Sequence, residues 1–129
     1  MPNRLVYLAM AIAKANGAFH DPDSQAFRLR NPLLLKCYSP NHQKDTNSDF
    51  RVFKSFTSGL DNAVRDLEIK CSGLSRMKLK PSDPLKALIL CYGYEGSTPW
   101  TPVVKFLKHI AEFENVGENT KLSFFLDKE

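Results

Sequence analysis

The sequence predicts a mainly helical α+β chain with one small β-hairpin. Three observations predict it. Apolar residues recur at helical spacing in several separate segments. One pair of short apolar runs, residues 33–39 and 50–53, flanks a polar stretch, as two strands around a hairpin loop would. No internal repeat and no low-complexity linker divides the 129 residues, so 1–129 reads as one domain, long enough to bury a core without staples.

The first helix spans about residues 3–16, with Leu5, Leu8, Ala9, Ile12 and Ala13 on one face and Gly17 placed to end it. Residues 18–33 hold Asp21-Pro22-Asp23 and Asn31-Pro32 and read as loop and turns. "LLLKCYS" and "FRVF" are the strand candidates, and "PNHQKDTNSD" between them is the exposed hairpin loop. Ser55 is the cap candidate for a second helix, with a stripe of Phe56, Leu60, Ala63, Val64, Leu67 and Cys71 and with Gly73 beyond its end. Ser82 and Asp83 are cap candidates for a third, with Pro84 in its first turn and a face of Leu85, Leu88, Ile89 and Tyr92. "YGYEGSTP" breaks it. A fourth helix begins near Trp100 with Pro102 in its first turn, and a stripe of Val103, Phe106, Leu107 and Ile110. "NVGENT" is a loop, and a short helix closes the chain near 122–126.

The net charge of +4 suits anionic partners but is too small to choose among them, and no basic block interleaved with aromatics stands out. A nucleic-acid partner is therefore not expected. Cys37, Cys71 and Cys91 form no CxxC pair, and free thiols in a reducing compartment are the expectation. His20, His42 and His109 lack metal-ligand spacing, so neither metal nor cofactor is expected. No phosphate-cradling glycine loop or nucleophile elbow occurs. The apolar run after Arg4 loosely imitates a secretion signal, but its helical spacing and Lys14 argue for a structural helix. No run approaches a membrane span, and the expected location is the cytoplasm or a virus particle.

The next member of the first helix's stripe is Asn16, at the helix's C-terminal end. A carboxylic acid there would meet apolar surroundings and the negative end of the helix dipole, both of which disfavour its charged form. Such an acid stays protonated near neutral pH and can donate a proton to a glycosidic oxygen. Asparagine cannot. As a bare feature, Asn16-Gly17 is also an ordinary helix stop.

The order of "AIAKANG", a loop, "RNPLLLK", "FRVFKSFTSGLDNAVRDLEIKCSG", a tyrosine-containing break and "NVGENTKLSFFL" resembles small lysozyme-like proteins of the lytic transglycosylase type, found in phages and bacteria. The likeness spans about residues 8–126. In those relatives the first segment reads approximately AIAxAEG, with the glutamate as catalytic acid, and the next reads approximately RNNNPGNL. The resemblance puts Asn16 at the acid position. It puts Asn31 and Pro32 on the Asn-Pro motif, and Leu33 and Leu34 on the glycine and asparagine that follow it. Phe50 and Phe53 match an F-x-x-F strand, Gly59 and Ala63 the next helix, and Asn119, Thr120 and Leu122 the closing segment. Tyr92 or Tyr94, with Glu95, falls on the break that lines the cleft.

The resemblance implies a two-lobed lysozyme-like fold and peptidoglycan glycan strands as the substrate class. With asparagine at the acid position it implies a pseudoenzyme of phage or prophage origin, acting by binding glycan, a virion component or a host protein. Asn31, Phe50, Tyr92 and Tyr94 are its candidate binding residues. For Asn31 an acetamido contact and an Asx turn stand as equal alternatives. Tyr92, Tyr94 and Trp100 suit either stacking on sugar rings or core packing. The competing reading is an active muramidase or transglycosylase with another carboxylate as acid. Glu95 is a weak candidate for that role, and Asp21 and Asp23 are otherwise turn formers.

Overall fold

The computed structural model describes residues 4–74, 78–89, 92, 100–110 and 113–126. It is mainly helical. Among the described residues six helices follow in order: α1 (Arg4–Ala15), α2 (Gln25–Arg28), α3 (Phe56–Cys71), α4 (Leu85–Ile89), α5 (Trp100–Leu107) and α6 (Ser123–Leu126). No helix among the described residues is long and apolar enough to cross a membrane.

α1 is the hub, packed against α3, α5 and α6. Its stripe explains this: Leu8, Ala9, Ala11, Ile12 and Ala13 are fully buried. Each large aliphatic side chain so buried contributes about 1.5–3 kcal/mol. The core continues through Leu67, Leu85, Leu88, Ile89, Val103, Leu107, Phe113, Leu122 and Phe125. A small second cluster, Ala13, Ala18 and Ala26 with Leu34 and Phe56 against it, sits at the C-terminal end of α1.

α3 matches the sequence closely. The Ser55 hydroxyl accepts from the Ser58 N–H, capping the first turn. At the other end Gly73 has φ +84°, and Gly73 and Leu74 N–H donate to Lys70 and Ile69 O (3.2 and 3.1 Å). That paired arrangement is a Schellman stop.

Three expectations need correction. The 18–33 segment is not wholly loop, because Ser24 accepts from Phe27 N–H (3.1 Å) and caps the one-turn α2. The two strands are only isolated antiparallel bridges, Lys36 with Phe50 and Lys44 with Arg51. The loop between them is exposed, as expected, but it folds back as a third line: Val52 N–H donates to Gln43 O and Asp45 N–H to Phe50 O (both 2.9 Å). Residues 50–52 thus lie between 35–37 and 43–45. Side-chain oxygens of Ser48 and Asp45 shape the turn, so a regular ladder does not develop. Finally, neither Ser82 nor Asp83 caps α4. Asp83 accepts from Lys80 N–H instead, and Pro84 pairs with Lys121 rather than lying in the helix. The first N–H groups of α4, Leu85 and Lys86, donate to Thr120 and Glu118 O (2.7 and 2.9 Å). The closing segment therefore does the work of the cap.

Candidate functional site

The site begins at the end of α1. Gly17, at φ +83°, donates to Lys14 O (3.0 Å), and Ala18 N–H donates to Ala13 O (2.9 Å). This second Schellman stop makes Asn16 the capping residue, with its backbone N–H still bonded to Ile12 O (3.0 Å). Its side chain is half-buried, and its Nδ2 donates to Pro32 O (3.1 Å). Asn16 is thus both the helix stop and the residue facing the Asn-Pro loop.

Asn31 holds that loop in shape. It is fully buried. Its Nδ2 donates to Leu35 O (2.9 Å) and Arg51 O (2.8 Å), and its Oδ1 accepts from Leu35 N–H (2.8 Å). Both amide hydrogens are therefore spent on backbone carbonyls. Asn31 acts as a clasp between the loop and residue 51, and has no donor left for an acetamido group. Leu34 N–H closes the turn onto Asn31 O (3.1 Å), which puts Leu34 at φ +56°. A leucine in the left-handed region costs about 1–2 kcal/mol, whereas glycine or asparagine accepts it readily.

Gly59 of α3 supports the loop from below. A Cβ there would lie 2.1 Å from Arg30 O and 2.9 Å from Pro32 Cδ. Only glycine lets the helix approach this closely. The sequence placed Gly59 in a helix but gave no sign of this role, since a glycine within a helical stripe has no signature of what it faces.

Of the other site candidates Asp21 adjoins this junction, its N–H donating to Gly17 O (3.0 Å). Phe50 is 6% exposed and Tyr92 4% exposed, so neither presents a ring face to solvent. The Tyr92 hydroxyl donates to Asp66 Oδ2 (2.6 Å), Lys70 pairs with the same carboxylate, and the Lys70 ammonium sits 4.6 Å from the Tyr92 ring centre. Asp66 is thus an anchor that hydrophobic periodicity did not reveal. Tyr94, Glu95 and Cys91 lie outside the described residues, as does all of "YGYEGSTP" except Tyr92.

Asp21 and Asp23 are exposed, and Asp21 Oδ1 accepts from Asp23 N–H (3.0 Å), a turn in the manner of Asp-Pro-Asp. His20, His42 and His109 are exposed, and the described residues include no cluster of three metal-ligating side chains. Half-exposed Phe19 packs against Phe56 (ring centres 5.2 Å apart) beside the end of α1. A shallow depression of about 500 Å³ lies elsewhere, between Val104 and Lys108 of the α5 end and residues 115–120.

The junction has a chemical preference. Its atom facing Pro32 O must be a donor, and it stands where the α1 carbonyls concentrate negative potential. An amide meets that demand permanently. A protonated carboxyl would meet it through its O–H, while a carboxylate would not. As it stands, the junction has no proton to give. Comparison of the chain with family models, with curated proteins and with solved structures returns no match.

Proposed function

We propose that this chain is a lysozyme-like domain of the lytic transglycosylase type, with Asn16 at the acid position, and that it works by binding peptidoglycan glycan strands without cutting them. The single observation that carries the reading is the Asn16–Pro32 contact. A donor at the C-terminal stop of a buried helix faces the Asn-Pro loop, in a setting that would keep a carboxyl protonated. Leu34 supports it. Its left-handed backbone, φ +56°, falls where the relatives' pattern carries asparagine, so the loop keeps a shape suited to a residue it no longer has. Asp21 and Asp23, the described carboxylates considered as replacement acids, are exposed and occupied in their own turn. A phage or prophage origin, as a virion part or a binder of a host protein, is the setting such a pseudoenzyme would have.

The test is co-sedimentation of the purified chain with peptidoglycan sacculi, with the supernatant read for released glycan by mass spectrometry. The reading predicts saturable binding and no release. Release by the natural chain would mean that another carboxylate acts as acid. Absence of binding would remove glycan as the ligand.

A further inference from the structure

One large apolar side chain is held out in water directly beside the Asn16–Pro32 junction. Among the described residues the exposed large hydrophobics are Phe19, Phe27, Tyr38, Ile69 and Leu74. Phe19 follows the Asn16-Gly17 stop and is 41% exposed. The turn that carries it is tied at both ends. Gly17 O accepts from Asp21 N–H (3.0 Å) and from the Ser24 hydroxyl (3.1 Å), and Ser24 N–H donates to Asp21 O (2.9 Å). A turn ordered in advance loses little freedom when a ligand arrives.

Phe56 braces the ring. The two ring centres are 5.2 Å apart, with their planes tilted by 54°. Phe56 opens α3 one turn before Gly59 and so shares its helix face. Gly59 is the residue pressed against Arg30 O and Pro32 Cδ. Phe56 and Leu34 both pack on the cluster of Ala13, Ala18 and Ala26. The aromatic pair is therefore joined to both sides of the junction. Phe19 belongs to the stop of α1, and Phe56 to the helix that supports the Asn-Pro loop.

We infer that the Phe19 ring, braced by Phe56, is the surface on which one sugar ring of the glycan strand stacks. The inference rests on the glycan-binding reading and names a residue that does the binding at that site. A sugar ring offers a C–H face to an aromatic side chain and hydroxyls at its edge that need polar partners. Asp21, exposed in the same turn, supplies one. Its Oδ1 accepts from Asp23 N–H, and no described residue occupies its Oδ2. A carboxylate oxygen is a strong acceptor for a hydroxyl. The size of the surface also fits a sugar. A phenylalanine presents about 200 Å², so 41% is about 80 Å², whereas a stable protein partner covers about 800 Å² on each side. A stacked nucleobase fits less well, because its backbone needs a basic groove, and the charged side chains of residues 17–24 are Asp21 and Asp23.

The test compares the natural chain with Phe19→Leu and Phe19→Trp, each checked for a cooperative thermal melt. Leucine keeps an apolar contact with Phe56 but has no flat ring, and tryptophan keeps the ring. On peptidoglycan sacculi Phe19→Leu should bind about tenfold more weakly, and Phe19→Trp about as well as the natural chain. Soluble glycan fragments cut from the same sacculi should shift the Phe19→Trp fluorescence to the blue. The natural chain, whose one tryptophan is Trp100, should show no such shift. If Phe19→Leu binds sacculi as tightly as the natural chain, nothing stacks on Phe19, and the glycan-binding reading survives without it. If both variants lose binding and the fragments leave the Phe19→Trp spectrum unchanged, the ring serves packing alone and the inference is overturned. A blue shift with oligothymidylate and none with glycan would make the ring a nucleobase platform and overturn it as well. If the natural chain binds no sacculi, the proposed function itself fails and takes this inference with it.

Discussion

Gly59→Ala separates two physical effects that predict opposite signs. Gly59 lies within α3, and on helix propensity alone alanine should stabilise the protein by about 1 kcal/mol. The fold predicts the reverse. The new Cβ would sit 2.1 Å from Arg30 O, and ordinary contact begins at 3.4 Å, so helix and loop must separate by more than 1 Å. What must yield is backbone, and that backbone is held. Asn31 N–H is bonded to Ala26 O (2.9 Å), the Asn31 amide clasps Leu35 and Arg51, and Pro32 O accepts from Asn16 at 3.1 Å. Overpacking against a fixed wall costs about 1–3 kcal/mol, and losing the Asn16 bond adds about 1 kcal/mol. Set against the propensity gain, the net is a loss of about 2 kcal/mol, or roughly 6–8 °C in melting temperature for a chain of this size. Urea denaturation followed by circular dichroism measures it. A stabilised Gly59→Ala would refute the close approach of α3 to the Asn-Pro loop.

Other perturbations follow from the same contacts. Asn31→Ala should cost about 3 kcal/mol in urea denaturation, because it strands Arg51 O and Leu35 N–H around a buried position and leaves Leu35 O with the Arg51 N–H alone. A loss below about 1 kcal/mol would mean water fills the gap. Lys78→Gly should raise stability by about 0.5–1 kcal/mol, since Lys78 is exposed at φ +61° and glycine relieves that strain at a smaller cost in unfolded-chain entropy. A decrease on thermal melting would argue against the left-handed backbone there. Burial, only partly offset by the nearby Lys70 charge, pushes the Cys71 thiol from 9.0 up to about 12. The raised value means the neutral thiol stabilises the fold below pH 9, and that contribution is lost as pH rises toward 12. Alkylation at pH 8 mapped by mass spectrometry should therefore mark half-exposed Cys37 well before Cys71. Equal rates at the two would contradict the burial.

The parts of the fold that were legible in the sequence are those built locally. Ser55 and Gly73 bracket α3 because a cap oxygen and a left-handed glycine act within one turn of the residues they serve. The stripe of α1 named its buried face, and Gly17 its end. What stayed hidden depends on distant chain. The N–H groups of α4 are satisfied by carbonyls more than thirty residues later, so Ser82 and Asp83 looked like caps with nothing to cap. The hairpin failed to become a ladder because the Ser48 hydroxyl, itself bonded to the Asp45 carboxylate, competes for the Phe50 N–H. At the candidate site, Asn16 was legible because its stripe pointed there. Asn31 was visible as a residue but not as a clasp, since its partners at Leu35 and Arg51 appear only once the loop closes. Gly59 was readable only through what presses on it.

The central proposal is that Asn16 stands at the acid position of a lysozyme-like framework. Asn16→Glu tests it most directly, with glycan release from sacculi read by mass spectrometry beside the natural chain. Half-burial and the C-terminal end of α1 should raise the introduced carboxyl above the usual range and keep it protonated near neutral pH. The account predicts a silent natural chain and a variant that releases glycan fragments. A folded Asn16→Glu variant that binds sacculi yet releases nothing would contradict it.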